Sequence, residues 1–450
     1  MNTQPFSKMH FLFFAILFIT ACGRLCQARE LKVSRAPNSE FTSIQQAVKA
    51  AQPGDVIALA PEDSPYYESV SFHNKSGAEG KPIILDGHGA TLDGSEPLRA
   101  GEWEETAPGL FRSTAFAARM RAGASILGRY FFVMNGAINR MGRSSKGMHA
   151  NFKTVADLQA GEWTYIENEK AFYVRLVPGE KLESVRAPER ASGVALSGDC
   201  EHLIIRNLSV THVWNDGFNI HQRSRDVRFE NIRAIECGDD GISAHEDCWI
   251  SVDGLFSARN STGFCHVGQS QSETKTFVLE DNISYGIYLV DSSKHTASNG
   301  MVRSPSGYAL RLVSQTTLDA DNILLVGEAD ETLGIALETK AVFKGDHFSI
   351  WNLPIVIGDA SAQLHHSVIG GAKSKINITA KADWKADENW WDCPEIKWHD
   401  TAFARDHLAD YVRASGQDAN SRWESVMRKN VLQGTTAPFG IAPEILSRLF

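Results

Sequence analysis

Two acidic phrases lie one short interval apart in the middle of the chain. Asn215-Asp216-Gly217 is answered by Gly238-Asp239-Asp240-Gly241. Carboxyl groups brought together can work on a glycosidic bond: one protonates the leaving oxygen, and another activates water or attacks the sugar. Crowding like charges raises one of their pKa values, which makes a proton donor. A histidine follows each phrase, His221 and His245. Imidazoles there could move protons beside the acids or ligate a divalent metal such as zinc. The same residues also have a structural reading. Glycine takes tight turns at strand corners, aspartate holds the turn backbone, and stacked histidines can simply face a groove.

The elements that must position these groups show in the spacing. Gly217, Gly241, Gly263, Gly286, Gly307 and Gly334 recur at intervals of 21 to 27 residues. A second register of apolar positions interleaves with them at Leu208, Ile232, Leu255, Ile283, Met301, Ile323, Phe348 and Val368. Two registers sharing a period of roughly 23 residues indicate a structural repeat. Each unit holds short β-runs broken by Gly, Asn and Asp, with no amphipathic helix. It cannot bury its own apolar face and must stack on its neighbours. The expected fold is all-β, a right-handed parallel β-helix with one coil per repeat.

Strand alternation then assigns directions. The first and third positions after each glycine point inward, for example Phe218 and Ile220, Ile242 and Ala244, Tyr308 and Leu310. The second and fourth point outward: Asn219 and His221, Ser243 and His245, Ala309 and Arg311. Coils stack at about 4.8 Å, so His221 should lie beside His245 and Asp216 beside Asp240. The third copy, Gly263-Phe264-Cys265-His266, sends a histidine inward if the register holds. The expected site is a groove over 215–221, 238–246 and 261–267. Asp216, Asp239, Asp240 and His245 are its candidate catalytic residues. Asn219, His221, Glu246, His266 and Arg311 are its candidate substrate contacts.

Composition bounds the alternatives. The 450 residues can hold a large core, and the net charge of −9 argues against wholesale nucleic-acid binding. Residues 1–28 read as a targeting segment: Lys8 and His10 precede an apolar run, Phe11 to Ala21, too short to span a membrane. Two cleavage readings compete. Ile19-Thr20-Ala21-Cys22 is like a lipobox, which would put a lipid anchor on Cys22. Cys26-Gln27-Ala28 is like an ordinary signal-peptidase site. Either way the protein is expected outside the cytoplasm: periplasmic, an outer-membrane lipoprotein, or secreted. The remaining cysteines permit a disulfide, with Cys237 and Cys265 about one coil apart, or serve as small buried residues.

Along the chain, residues 29–96 are expected to form an N-terminal cap and the first coils. Ile44, Ala47, Val48 and Ala51 share one helical face, Thr42-Ser43-Ile44-Gln45 offers a capping box, and Pro53-Gly54-Asp55 stops the helix. Residues 97–190 interrupt the repeat with aromatic β-runs and read as an inserted β-rich subdomain. Thr106 to Ala156 contains no Asp or Glu, but six Arg and two Lys. That stretch is either an electropositive wall for an anionic polymer or a set of partners for acidic coils. Coils resume over 191–380, and 381–450 should cap the last one.

Two resemblances add to this reading. The run Phe41-Thr42-Ser43-Ile44-Gln45-Gln46-Ala47-Val48, then Pro53-Gly54-Asp55-Val56-Ile57 and Tyr67-Glu68, resembles the opening of bacterial β-helix proteins of the pectin-lyase-like superfamily. With the coils it covers roughly 41–96 and 190–380. It implies the fold, while that superfamily carries many activities. The acidic phrases are similar to those of the polygalacturonase family of glycosidases. That likeness implies that Asp240 or Asp239 is the general acid, that the other two aspartates handle water, that His266 is an active-site histidine and that Arg311 binds substrate. The chain departs from the pattern at Cys265-His266-Val267, where glycines would flank the histidine, and at Leu312-Val313, where a lysine would follow the arginine. Phe218-Asn219-Ile220-His221 faintly resembles the catalytic loop of alginate epimerases, but Asn219 stands where an acid is needed.

The function expected is an exported glycoside hydrolase acting on a polysaccharide, working as a monomer with no cofactor, nucleic acid or metal. A lyase, with Ca²⁺ neutralising a uronate, is one alternative. A non-catalytic surface protein that binds glycan is the other.

Overall fold

A computed structural model describes residues 28–147, 150–304, 306–328 and 332–449. The apolar run Phe11 to Ala21, Cys22 and Cys26 lie outside the described residues. The chain winds as a parallel β-helix, the fold class the repeat predicts. A 12-stranded sheet forms its front and a 17-stranded sheet its back.

Each coil gives the front a short strand, such as Phe218–Ile220, Asp240–Ala244, Thr262–His266 and Tyr285–Leu289. It gives the back a long one, such as Asp199–Thr211, Arg223–Ile235 and Asp247–Ala258. The long strands share one left-handed corner, and the first two carry a second left-handed residue, His202 and Asp226, nearer their start. Asn207, Asn231, Gly254, Thr276, Asn299 and Asn322 fill the shared corner in successive coils. Asparagine suits it because its short amide bonds locally and tolerates positive φ. Apolar residues from both sheets, among them Leu203, Phe218, Phe229, Ile242, Phe264 and Ile287, fill one continuous interior.

The alternation rule holds through Gly286 and then slips. Tyr285 pairs with Tyr308, so Gly286 falls opposite Ala309 and not Gly307. Ala309 therefore turns into the core and Tyr308 lies outside, the reverse of the sequence expectation. Gly307 instead makes the turn before the strand, at φ 75, where a Cβ would meet Ser284 O at 2.2 Å.

At the start, helix α1 (Ile44–Ala50) covers the first coil, with Ile44, Ala47 and Val48 buried. The expected capping box does not form. Glu68, from the next turn of the chain, takes the Ile44 N–H at 3.1 Å and the Ser43 hydroxyl at 2.8 Å. At the far end, a helix over Leu408–Ser415 drops Tyr411 into the core. There Tyr411 donates to Asp418, and so does the Trp391 indole, both at 3.0 Å.

Residues 95–190 carry two four-stranded sheets whose pairs are antiparallel. Trp103, Phe116, Tyr130, Phe132, Trp163 and Phe172 form a separate core for them, against which Trp214 of the coils packs. Cys200, Cys237, Cys248, Cys265 and Cys393 are all buried free thiols.

Candidate functional site

One coil of separation brings the acidic phrases together. Asp216 Oδ1 accepts the backbone N–H of Asp240 at 3.1 Å. Oxygens of Asp216, Asp239 and Asp240 lie within 4.8 Å of one another. The three residues are only 2 to 6% exposed, because the inserted segment folds over them. Buried Arg140 anchors that segment by donating to the carbonyls of Cys237 at 2.6 Å, Arg259 at 3.0 Å and Gly238 at 3.3 Å. Lys146 Nζ then sits 2.6 Å from Asp239 and 2.5 Å from Asp240. Arg129 reaches Asp239 at 2.7 Å, and the Ser145 hydroxyl donates to the same carboxylate.

These surroundings push the three carboxyls apart. Burial, then repulsion from Asp240 and Asp239, lifts Asp216 well above the usual carboxylate range. Burial also pushes Asp239 upward, but Lys146 and Arg129 outweigh it and hold the group ionised. Asp240 is raised to about 6, first by burial and then by Asp239, against the pull of Lys146. Burial opposes the charge on Lys146, yet Asp240 and its neighbours hold that amine protonated.

Outward residues stack along the front sheet in the register Asn219, Ser243, Cys265, Tyr288, Arg311. His221 and His245 lie beside this column with rings 4.2 Å apart and nearly parallel. Glu246 meets His221 Nδ1 at 3.2 Å, and Ser243 Oγ is 2.6 Å from His245 Nε2. Burial and then His221 lower His245 to about 4, so it is neutral near pH 7. Arg311 lies over Tyr308 at 5.1 Å and donates to the Tyr285 hydroxyl and Glu338, both at 3.1 Å. The Tyr285 and Tyr308 rings stack 5.8 Å apart. They line a cleft of about 370 Å³ with Lys146, Gly147, Ser284 and Leu333. Lys146 thus touches the acids on one side and the cleft on the other.

His266 does not join the site. It is fully buried, with Phe264 4.2 Å and His295 5.0 Å away between ring centres. Burial lowers it to about 3. It occupies the third position after Gly263, whose parity already pointed inward, so it makes no substrate contact. Asn219 is on the outer face, with Nδ2 3.4 Å from Ser192 Oγ. Of the two readings of the basic stretch, the ion pairs of five of its residues fit the second, partners for acids. Arg112 and Lys153 pair with acids of the insertion itself, Arg119 with Glu102 and Glu189, and Arg129 and Lys146 with the coil acids. Arg129, Ser145 and Lys146 were missed as site residues because an irregular loop delivers them from outside the repeat. Tyr285 and Tyr308 were missed as well, because the glycine frame sent Tyr308 inward; their spacing of one coil is the signal that could have paired them.

No known family profile and no curated protein matches the chain. Among solved structures, one described as "The complex structure of XylC with xylose" is similar over 87% of this chain and 82% of its own, at 11% identity and a TM-score of 0.51. Pectate lyase Pel9A matches over 81% and 80% at 14% identity and a TM-score of 0.46. A structure described as a glycoside hydrolase matches over 94% and 98% at 12% identity and a TM-score of 0.41. At these identities the first similarity bears on fold alone. The chain has the parallel β-helix fold that its resemblance to the pectin-lyase-like superfamily implies.

Proposed function

We propose that this protein is an exported, carbohydrate-active enzyme that hydrolyses a polysaccharide with Asp240 and Asp239. The observation that carries the reading is the asymmetric setting of these two buried neighbouring carboxyls: Lys146 and Arg129 both reach Asp239, while Asp240 lies between Lys146 and Asp239. A poised acid beside a carboxylate held ionised is the division of labour that glycoside cleavage needs. Asp240, protonated up to about pH 6, gives its proton to the leaving oxygen. Asp239 activates water or attacks the sugar. The tyrosine-lined cleft supplies faces on which a sugar ring can lie. Lys146 stands between cleft and acids, so substrate reaches Asp240 by displacing its ammonium group. An anionic sugar could take over that charge. Helix α1 closes the first coil's edge, which supports a monomer.

The burial of the acids under Lys146 and Arg129 favours a second reading, a surface protein that binds glycan through the same cleft without cutting it. Incubating the purified protein with neutral, uronic and sulfated polysaccharides separates the readings. Release of reducing ends, lost in Asp240→Asn with an unchanged circular dichroism spectrum, is the result expected. Growth of the ultraviolet absorbance of unsaturated uronates would show a lyase. Retention of the protein on one glycan without any product would show a binding protein.

A further inference from the structure

The column of left-handed corner residues changes character near the C-terminal end of the solenoid. After Asn299 and Asn322 it continues as His347, His366 and Glu388, with φ of 51, 46 and 56°. The residues just before them in the same coils are Asp321, Asp346, His365 and Asp387. Two half-buried imidazoles and several carboxylates therefore meet at one edge, far along the chain from the acid cluster.

Their atoms converge. His366 Nδ1 is 2.7 Å from Asp346 Oδ1, and its Nε2 is 2.9 Å from Glu388 Oε2. His347 Nδ1 is 3.1 Å from Asp321 Oδ1 and 3.5 Å from Asp346 Oδ1. The two rings stack 5.1 Å apart. Donor atoms of Asp346, His347 and His366 all lie within 4.8 Å of one another. Adjacent ligands of a tetrahedral zinc ion with bonds of about 2.0 Å are about 3.3 Å apart. The observed separations fall around that spacing.

Proton counting sharpens the point. A neutral imidazole has one N–H, but His366 presents a carboxylate oxygen to each nitrogen. When the ring is neutral, one nitrogen lone pair faces an oxygen with no proton between them. Either a second proton or another cation must sit there. If the Nε2–H goes to Glu388, Nδ1 is left as a donor atom, the carboxylate–histidine–metal arrangement found around ligating histidines.

We propose that Asp346, His347 and His366 form a binding site for a divalent transition-metal ion, of which zinc is the test case. Asp346 Oδ1 and the two Nδ1 atoms are the ligands, Asp321 completes the set, and Glu388 fixes the His366 tautomer. Imidazole nitrogens select such an ion over calcium or magnesium, which take oxygen ligands. The bound ion ties together the coils that carry residues 321, 346, 366 and 388, next to the closing segment of the solenoid.

Titrating chelator-stripped, untagged protein with zinc chloride near neutral pH, followed by calorimetry and thermal unfolding, tests the site. One equivalent bound and a raised Tm are expected. The double variant His347→Ala, His366→Ala should keep its circular dichroism spectrum and lose that equivalent. Glu388→Gln should keep the stoichiometry and weaken affinity about 10- to 100-fold. Failure to bind zinc, a preference for calcium, or one equivalent retained by the folded double variant would overturn the proposal.

Discussion

Lys146 sets how the acid pair titrates. Its ammonium lies 2.5 Å from Asp240 and pulls that carboxyl down against burial and Asp239. Removing the charge must raise the Asp240 pKa further. In Lys146→Met, the alkaline limb of the pH profile should therefore move to higher pH, and an unmoved limb would separate Lys146 from the chemistry. His212 gives a second titration, away from the cleft. It stands between Asp93 at 3.3 Å and Glu236 at 3.1 Å. Burial works against its charge, but bonds to both acids raise it from 6.5 to about 9. The folded chain thus holds a proton that the unfolded chain releases. The stabilisation is complete below pH 6.5 and disappears as pH rises through about 9. Its ceiling is about 3.5 kcal/mol at roughly 1.4 kcal/mol per unit. Glu236 has the opposite sign: its bond with His212 lowers it from 4.5 to about 2, so its contribution is present above 4.5 and lost as pH falls through 2. The two contributions share the His212–Glu236 bond and do not simply add. His212→Gln should cost up to about 3.5 kcal/mol near pH 6 and progressively less toward pH 10. Denaturant midpoints measured across that range check it, and a constant difference would contradict it.

Among the elements, turns are specified as closely as strands. Buried Asn260 accepts the Cys237 N–H at 2.8 Å and donates to Ala234 O at 3.0 Å, which binds its turn to the coil before. Asn282 repeats the device one coil later, accepting the Asn260 N–H at 3.0 Å. Asn260→Leu would leave two buried backbone groups unpaired at about 1–3 kcal/mol each. A loss of roughly 2–6 kcal/mol in chemical denaturation is expected, and a change near zero would show that water replaces the amide. The same scale shows how far sequence reading reaches. A shared period was enough to place His221 on His245 and Asp216 beside Asp240, because parallel stacking copies sequence spacing into space. It failed at Tyr308, where Gly307 served a turn and shifted the glycine frame against the strands. It failed at the helix cap too, since Glu68 lies beyond any local motif. Glu68→Ala should destabilise the N-terminal coil by about 1 kcal/mol, as loss of a helix cap does. Local hydrogen exchange over Ile44–Ala50 would read it, and unchanged protection would rule the cap out.

For the whole molecule, the solenoid is legible because every coil repeats the same demand for an apolar interior. What covers it is not. The insertion contributes Arg129 and Lys146 to the acid cluster and anchors itself to the coils through Arg140, and no periodicity relates those residues to Asp239. The sequence therefore suggested an open groove, whereas the folded chain holds its acids beneath the insertion and next to a tyrosine-lined cleft. In this architecture the coils supply the carboxyls and the insertion sets their charge and access. The pH dependence of the proposed polysaccharide cleavage, as kcat/KM on a polymer from which the protein releases reducing ends, tests that arrangement most directly. The account predicts activity that needs an ionised Asp239 on the acid side and falls above about pH 6 as Asp240 loses its proton. Activity that keeps rising through neutrality, or that survives in Asp240→Asn, would contradict it.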